Sequence, residues 1–310
     1  MPTRILILGA SGQIGTDLVE NLRQKHGAEQ VVTADLHPPK QAEGPFVQLN
    51  VKDEQLLRQV VKEYGITEVY HLVAMLSATA EEKPVEGWQL NMDSLFHVLN
   101  MAREKMIDRV FWPSSIAAFG PNSPKDPCGQ TTIMDPGTVY GISKLAGELW
   151  CDYYHRKYGV DVRSIRYPGL ISYKAKPGGG TTDYAVDIFH QALESGHYTS
   201  FIAENTRLPM MYMPDAIRAT VKLMEAPADQ VLIRTSYNIA AISFTPKELA
   251  EAIRKEIPDF TIDYAPDTRD SIAQGWPAVM DDKEAREHWG HKHDFDLQDM
   301  VKDMLKQLSQ

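Results

Sequence analysis

Tyr140 and Lys144 stand four residues apart in VYGISKLAGE. On a helix that spacing puts both side chains on one face. An ammonium beside a phenol favours the phenolate and draws its pKa from about 10 toward neutrality. A phenol tuned in this way takes the proton of an alcohol while hydride leaves the carbon. Ser114 and Ser115 lie upstream in PSSIAAFG, just after the apolar run Arg109 to Pro113. A hydroxyl there can orient a substrate oxygen and stabilise developing charge, and Ser115 is the expected partner of Tyr140. An isolated Y-x-x-x-K is more often a surface pair, so its weight comes from its company.

That company is ILILGASGQIG near the N-terminus. Gly9 permits a tight turn, Gly12 lets the backbone approach a pyrophosphate, and Gly15 lets the following helix pack close to the strand. The helix start then offers free N–H groups to an anion. The spacing G-x-x-G-x-x-G also suits an ordinary strand-to-helix turn. Asp35 adds weight, because it ends the second apolar run about 20 residues beyond the third glycine. An acid there accepts hydrogen bonds from both ribose hydroxyls and repels a 2′-phosphate, which selects NAD over NADP. Neither Leu36 nor His37 supplies an arginine's charge. Asn50 and Val51 could flank the adenine, although asparagine is also a turn residue. Ser114 is expected nearer the cofactor than Ser115.

The elements that must position these residues alternate. Arg4 to Leu8, Gln30 to Asp35, Phe46 to Asn50, Glu68 to Ala74, Arg109 to Pro113 and Val162 to Tyr167 read as strands. Ile14 to His26, a segment capped by Asp53, Trp88 to Glu104 and Thr138 to Tyr158 read as helices. This rhythm predicts an α/β fold, a doubly wound parallel Rossmann sheet. Beyond Gly169 the rhythm loosens. Tyr184 to Glu194, Pro214 to Glu225 and Pro246 to Glu256 look helical, and Tyr198 to Ile202 and Ser236 to Ile239 look like short strands. The expected organisation is a nucleotide-binding core over 1–169 and a smaller C-terminal substrate lobe over most of 170–310, with later segments returning to the core.

The bulk numbers narrow the class. The chain has 310 residues, 43% hydrophobic, enough for a sizeable core. Its net charge of −10, without a basic run, disfavours nucleic acid and anionic membrane as partners. Two cysteines, Cys128 and Cys151, make no disulfide framework and point to a reducing compartment. The apolar run at the N-terminus is too short for a signal peptide, and none reaches the roughly 18 residues of a membrane span. The expected location is cytoplasmic. EHWGHKH brings His288, His291 and His293 together, but the run is charged and has no nearby cysteine, so no metal is expected.

With these motifs the chain is similar to the extended short-chain dehydrogenases/reductases over nearly its whole length. The matching positions are Gly9, Gly12, Gly15, Asp35, Asn91, Ser115, Tyr140 and Lys144. The resemblance implies that Asn91 supports a proton relay and that Lys144 holds the nicotinamide ribose. It extends the cofactor set to Gln13, Ile14, Leu72, Ala74, Ser114, Tyr167, Pro168 and Leu170. Leu8 stands where many members have threonine, which touches only local turn bonding. Three segments, RYPGLISYKAKPGGGTTDYA, LPMMYMPDAIRA and SIAQGWP, are similar to the short-chain type of L-threonine 3-dehydrogenases. The resemblance implies oxidation of the L-threonine 3-hydroxyl by NAD, with Ser77, Ser115, Tyr140, Thr181 and Trp276 at the substrate, where the same segment offers Gly179 and the hydroxyl of Thr182 as well. The glycines 178–180 could form a backbone nest for its carboxylate. The family also implies a homodimer through its long helices. Two rival readings share the cradle: an NAD-retaining sugar-nucleotide epimerase or dehydratase, and a non-catalytic NAD(P)-binding redox sensor.

Overall fold

A computed structural model describes residues 3–39, 43–174 and 180–310. Seven parallel strands form the central sheet. In chain order they are β1 (Ile5–Leu8), β2 (Val31–Asp35), β3 (Phe46–Gln48), β4 (Glu68–His71), β5 (Arg109–Ser115), β6 (Asp161–Tyr167) and, much later, β10 (Tyr237–Asn238). Their spatial order is β10-β6-β5-β4-β1-β2-β3. The chain winds one way from β1 to β3 and the other way from β4 onward, so the order reverses between β1 and β4. Crevices at the carboxyl ends of such a switch point are where open α/β sheets bind ligands.

The apolar runs read as strands because helices cover both faces. Ile5 and Ile7 of β1 point to one side and Leu6 and Leu8 to the other, and all four are buried. One side is covered by α1 (Gln13–His26) and α7 (Met213–Glu225). The other is covered by α2 (Glu54–Tyr64), α4 (Pro84–Arg103) and α5 (Val139–Tyr158). Asp53 caps α2 by accepting from the Leu56 N–H, as its position suggested.

Some boundaries differ from the sequence reading. Strand β4 stops at His71 rather than Ala74. The residues that follow lead to a short helix, α3 (Ser77–Glu82), which periodicity did not reveal in so short a segment. Helix α4 starts at Pro84, four residues before Trp88, because proline is well placed in a first helical turn.

The later chain builds a second layer. Strands β7 (Gly169–Ile171), β9 (Leu208–Tyr212) and β11 (Ile242–Phe244) form one small sheet. Strands β8 (His197–Ser200) and β12 (Thr261–Tyr264) form another. Helices α6 (Tyr184–Glu194), α8 (Pro246–Arg254), α9 (Thr268–Gln274) and α11 (Leu297–Leu308) surround a core containing Phe189, Phe244, Phe260 and Met304. Helix α7 and α10 (Lys283–Trp289) instead pack with the central sheet, through Ile217, Met224 and Trp289. Met210, Met211 and Met213 are all buried packing residues. Among the described residues no helix is long and apolar enough to cross a membrane.

Candidate active site

The glycine turn has the geometry a phosphate cradle needs. Gly9 takes a φ of 81°, a conformation that favours glycine. A Cβ on Gly15 would lie 2.3 Å from the Gly9 carbonyl oxygen, so α1 can begin this close to β1 only without a side chain there. Gly12 is exposed, and its missing Cβ would meet only the Gly9 carbonyl oxygen at 3.3 Å. No side chain caps α1, which leaves its first N–H groups to an anion. Asp35 ends β2 beside this turn, where it accepts from the backbone N–H of Ser11 at 2.9 Å and of Leu36 at 2.7 Å. It thereby ties the turn to the strand and keeps further lone pairs for a ribose. Leu36 is exposed just beyond. Asn50 is exposed and caps its own turn, accepting from the Lys52 N–H, while Val51 is buried and its carbonyl accepts from His97. These residues fit a dinucleotide.

From the switch point a single cleft runs toward the second layer. Gln13, Ile14, Leu72, Ala74, Tyr167, Pro168 and Leu170 are among the residues that line it. Ser115, Tyr140, Lys144, Ser77, Thr181, Thr182 and Trp276 line the same cleft. The sequence-predicted substrate residues and the nicotinamide-side cofactor residues thus line one cleft, while Gly9, Gly12, Gly15, Asp35, Leu36, Asn50, Val51 and Asn91 lie outside its lining. Gly179 lies outside the described residues. The N–H of Gly180 is already committed to Asp183 at 2.7 Å, so at that position the expected nest is not free.

Two glycines bring α5 against β5 and the short turn that follows it. A Cβ on Gly141 would stand 2.1 Å from the Ala117 carbonyl oxygen, and one on Gly147 would stand 2.4 Å from the Trp112 ring. Neither glycine was singled out from the sequence, although their small size beside Y-x-x-x-K was the available signal. Thr138 caps the helix by accepting from the Gly141 N–H at 3.0 Å.

The electrostatics correct one expectation. Lys144 is buried, donates to the Pro113 carbonyl at 2.6 Å, and sits over the Trp112 ring. Burial draws its pKa down to about 7, with Cys151 and Glu148 opposing. Its nitrogen is 5.4 Å from the centre of the Tyr140 ring. Loss of solvation pushes Tyr140 up to about 12, and the hydrogen bond with Ser115 works against that rise. The protein alone therefore raises the phenol pKa rather than lowering it, because desolvation outweighs the Ser115 hydrogen bond.

Ser114 and Asn91 are each held by other side chains. Ser114 borders the cleft, and its hydroxyl donates to Glu148 Oε1 at 2.5 Å. Asn91 is buried in α4, where its Oδ1 accepts from the Met75 N–H at 2.7 Å. Its amide donates to the Met75 carbonyl and to Ser143 Oγ. Ser143 in turn donates to the Tyr140 carbonyl at 2.7 Å. Asn91 thus braces the segment after β4 and the first turn of α5 from behind the cleft. Away from it, His288 spends a ring nitrogen on the Tyr237 hydroxyl and His291 one on the Ala240 carbonyl.

Comparison with known proteins agrees with this architecture. Residues 5–240 match the NAD dependent epimerase/dehydratase family. An uncharacterized epimerase/dehydratase of Staphylococcus haemolyticus is 45% identical, covering 99% of this chain and 98% of its own length. The holo form of a GalE-like L-threonine dehydrogenase from Cupriavidus necator superposes with a TM-score of 0.96. It is 56% identical, over 98% of this chain and 99% of that one. A monomeric L-threonine 3-dehydrogenase of metagenomic origin, in its apo form, gives a TM-score of 0.95 at 44% identity, over 98% of both chains.

Proposed function

This chain belongs to the NAD-dependent epimerase/dehydratase family, as an oxidoreductase with an NAD-binding Rossmann fold, and we propose that it oxidises the 3-hydroxyl of L-threonine to 2-amino-3-oxobutyrate. One observation carries the reading. Tyr140 and Ser115 share a small cleft with Ser77, Thr181, Thr182 and Trp276, directly beyond the residues expected at the nicotinamide. Its walls offer hydroxyls and one indole, which suit a small polar amino acid.

In this reading Ser115 holds the substrate hydroxyl and Tyr140 takes its proton. NAD held by this cradle would supply the hydride acceptor for the threonine Cβ hydrogen and a positive nicotinamide charge. The protein supplies the rest by position. Lys144 is fixed by Pro113 and Trp112 where it can reach a ribose, and Asn91 steadies the turn that carries Tyr140. Asp35 would take the adenine-side ribose, and Asn50 and Val51 would border the adenine.

The test is NADH absorbance on mixing the protein with NAD and L-threonine, with NADP and D-threonine as controls. Steady NADH formation from L-threonine and NAD alone is the expected result. Retention of NAD without NADH release would instead favour a sugar-nucleotide epimerase or dehydratase.

We also propose a homodimer. The outer faces of α4 and α5 expose Val85, Trp88, Ile142, Leu149 and Trp150, and Trp150 packs edge-on against Phe96 at 5.0 Å. Contiguous exposed apolar side chains of this kind mark an association surface. In sedimentation the protein is expected to run as a dimer, and Leu149→Glu, at a residue 58% exposed, to shift it to monomer. A monomeric parent protein would remove this proposal.

A further inference from the structure

Behind the cleft lies a buried polar cluster that the proposed mechanism does not use. Glu148 and Arg166 pair with side chains 1% and 4% exposed. Arg166 donates Nε and Nη2 to the Glu148 carboxylate, and Nη1 to the Gln130 carbonyl and Asn238 Oδ1. Such a pair is complete as a structural ion pair. Yet Glu148 also accepts from Ser114, the residue immediately before Ser115.

These contacts come from one face of one helix. Residues 140, 144 and 148 lie on one face of α5 at successive turns. Tyr140 meets Ser115, Lys144 meets the Pro113 carbonyl, and Glu148 meets Ser114. Three consecutive residues at the end of β5 are therefore each gripped by one turn of one helix. Strand alternation turns Trp112 and the Ser114 hydroxyl toward α5, while Ser115 meets Tyr140 in the cleft.

We propose that Ser114 and Glu148 are positioning residues: the hydrogen bond between them sets the end of β5 on α5 so that the Ser115 hydroxyl meets Tyr140. The inference rests on the roles given above to Tyr140 and Ser115. Its consequence is specific. The Ser115 hydrogen bond is the contact that lowers the Tyr140 pKa, so loosening the strand end should raise it. The ionisable groups packed around Lys144 and this corner are Glu148 and Cys151 on α5, His71 on β4 and Arg166 on β6. Ser114→Ala changes the charge of none of them.

Ser114→Ala is the primary variant because it leaves the Glu148–Arg166 pair intact; Glu148→Gln is the second. For Ser114→Ala, kcat is expected to fall roughly 10- to 100-fold, the scale of a small misplacement of reacting groups. The affinity for NAD should stay within about twofold, and the rising limb of the kcat–pH profile should move to higher pH. Hydrogen exchange of the peptide spanning 113–118 should quicken in ligand-free protein. Glu148→Gln should show the same pattern, more strongly. Wild-type kcat, or a fall in kcat with an unmoved pH limb, would overturn the proposal. If the parent protein does not turn over L-threonine, the exchange measurement decides alone. Faster exchange keeps the positioning role while the substrate reading falls, and unchanged exchange ends both.

Discussion

Tyr140→Phe is expected to cut NADH production from L-threonine by on the order of 10²- to 10⁴-fold, the usual contribution of a positioned acid or base. NAD binding and thermal stability should change little, because the ring and its packing against the second-layer core remain. Steady-state kinetics beside a fluorescence titration with NAD would separate the two. The pH dependence has a definite sign. The phenolate is the productive form, and in the free protein Tyr140 ionises only near about 12. The protonated form therefore dominates at neutral pH, and kcat/KM for NAD, which reports the free enzyme, should climb as pH rises. A flat profile from mildly acidic to alkaline pH, or a Tyr140→Phe variant with substantial turnover, would remove Tyr140 as the base.

Alanine at Gly15 and at Gly12 should have different effects although both glycines belong to one motif. At Gly15 a Cβ would lie 2.3 Å from the Gly9 carbonyl oxygen and 2.8 Å from the Ala10 carbonyl. These are backbone atoms, so no rotamer change relieves the clash, and the cost should be at least the about 1–3 kcal/mol of ordinary overpacking. Gly15→Ala is thus expected to lower the unfolding temperature of ligand-free protein and to weaken NAD binding. At Gly12 the Cβ would have one contact, at 3.3 Å, and otherwise face open space. Gly12→Ala should keep the ligand-free stability of the parent and lose NAD affinity, because the methyl occupies the approach to the pyrophosphate. Thermal unfolding without ligand, paired with NAD titration, checks both. Equal stability loss in the two variants would contradict the division of roles.

Much of the fold was legible because the strands of a doubly wound sheet are buried on both sides. Continuous runs such as Ile5–Leu8 then stand out, and the glycine turn and Asp35 mark where the first βαβ unit must bind. The second layer was less legible. Strands β7, β9 and β11 are short, and β9 is buried along its whole length. Short apolar runs of that kind carry no period that separates strand from helix. The helix at Ser77–Glu82 was missed for a related reason, since six residues span less than two turns.

The sequence by itself determined which residue types would meet: a phenol and an ammonium one helical turn apart, a serine at a strand end, and glycines where a backbone must pass close. Those are local facts, set by covalent spacing and by the periods of helix and strand. Only the tertiary structure decided which way each group is turned and what it costs to charge it. Ser114 and Ser115 are adjacent, yet the hydroxyl of one is held by Glu148 and that of the other meets Tyr140. Lys144 is one turn from Tyr140, yet it bonds Pro113, and desolvation rather than its charge governs the phenol. Hydrogen-bond partners and solvation come from chain segments far apart in sequence, here β5, β6 and α5, and their effect exists only once those segments have packed.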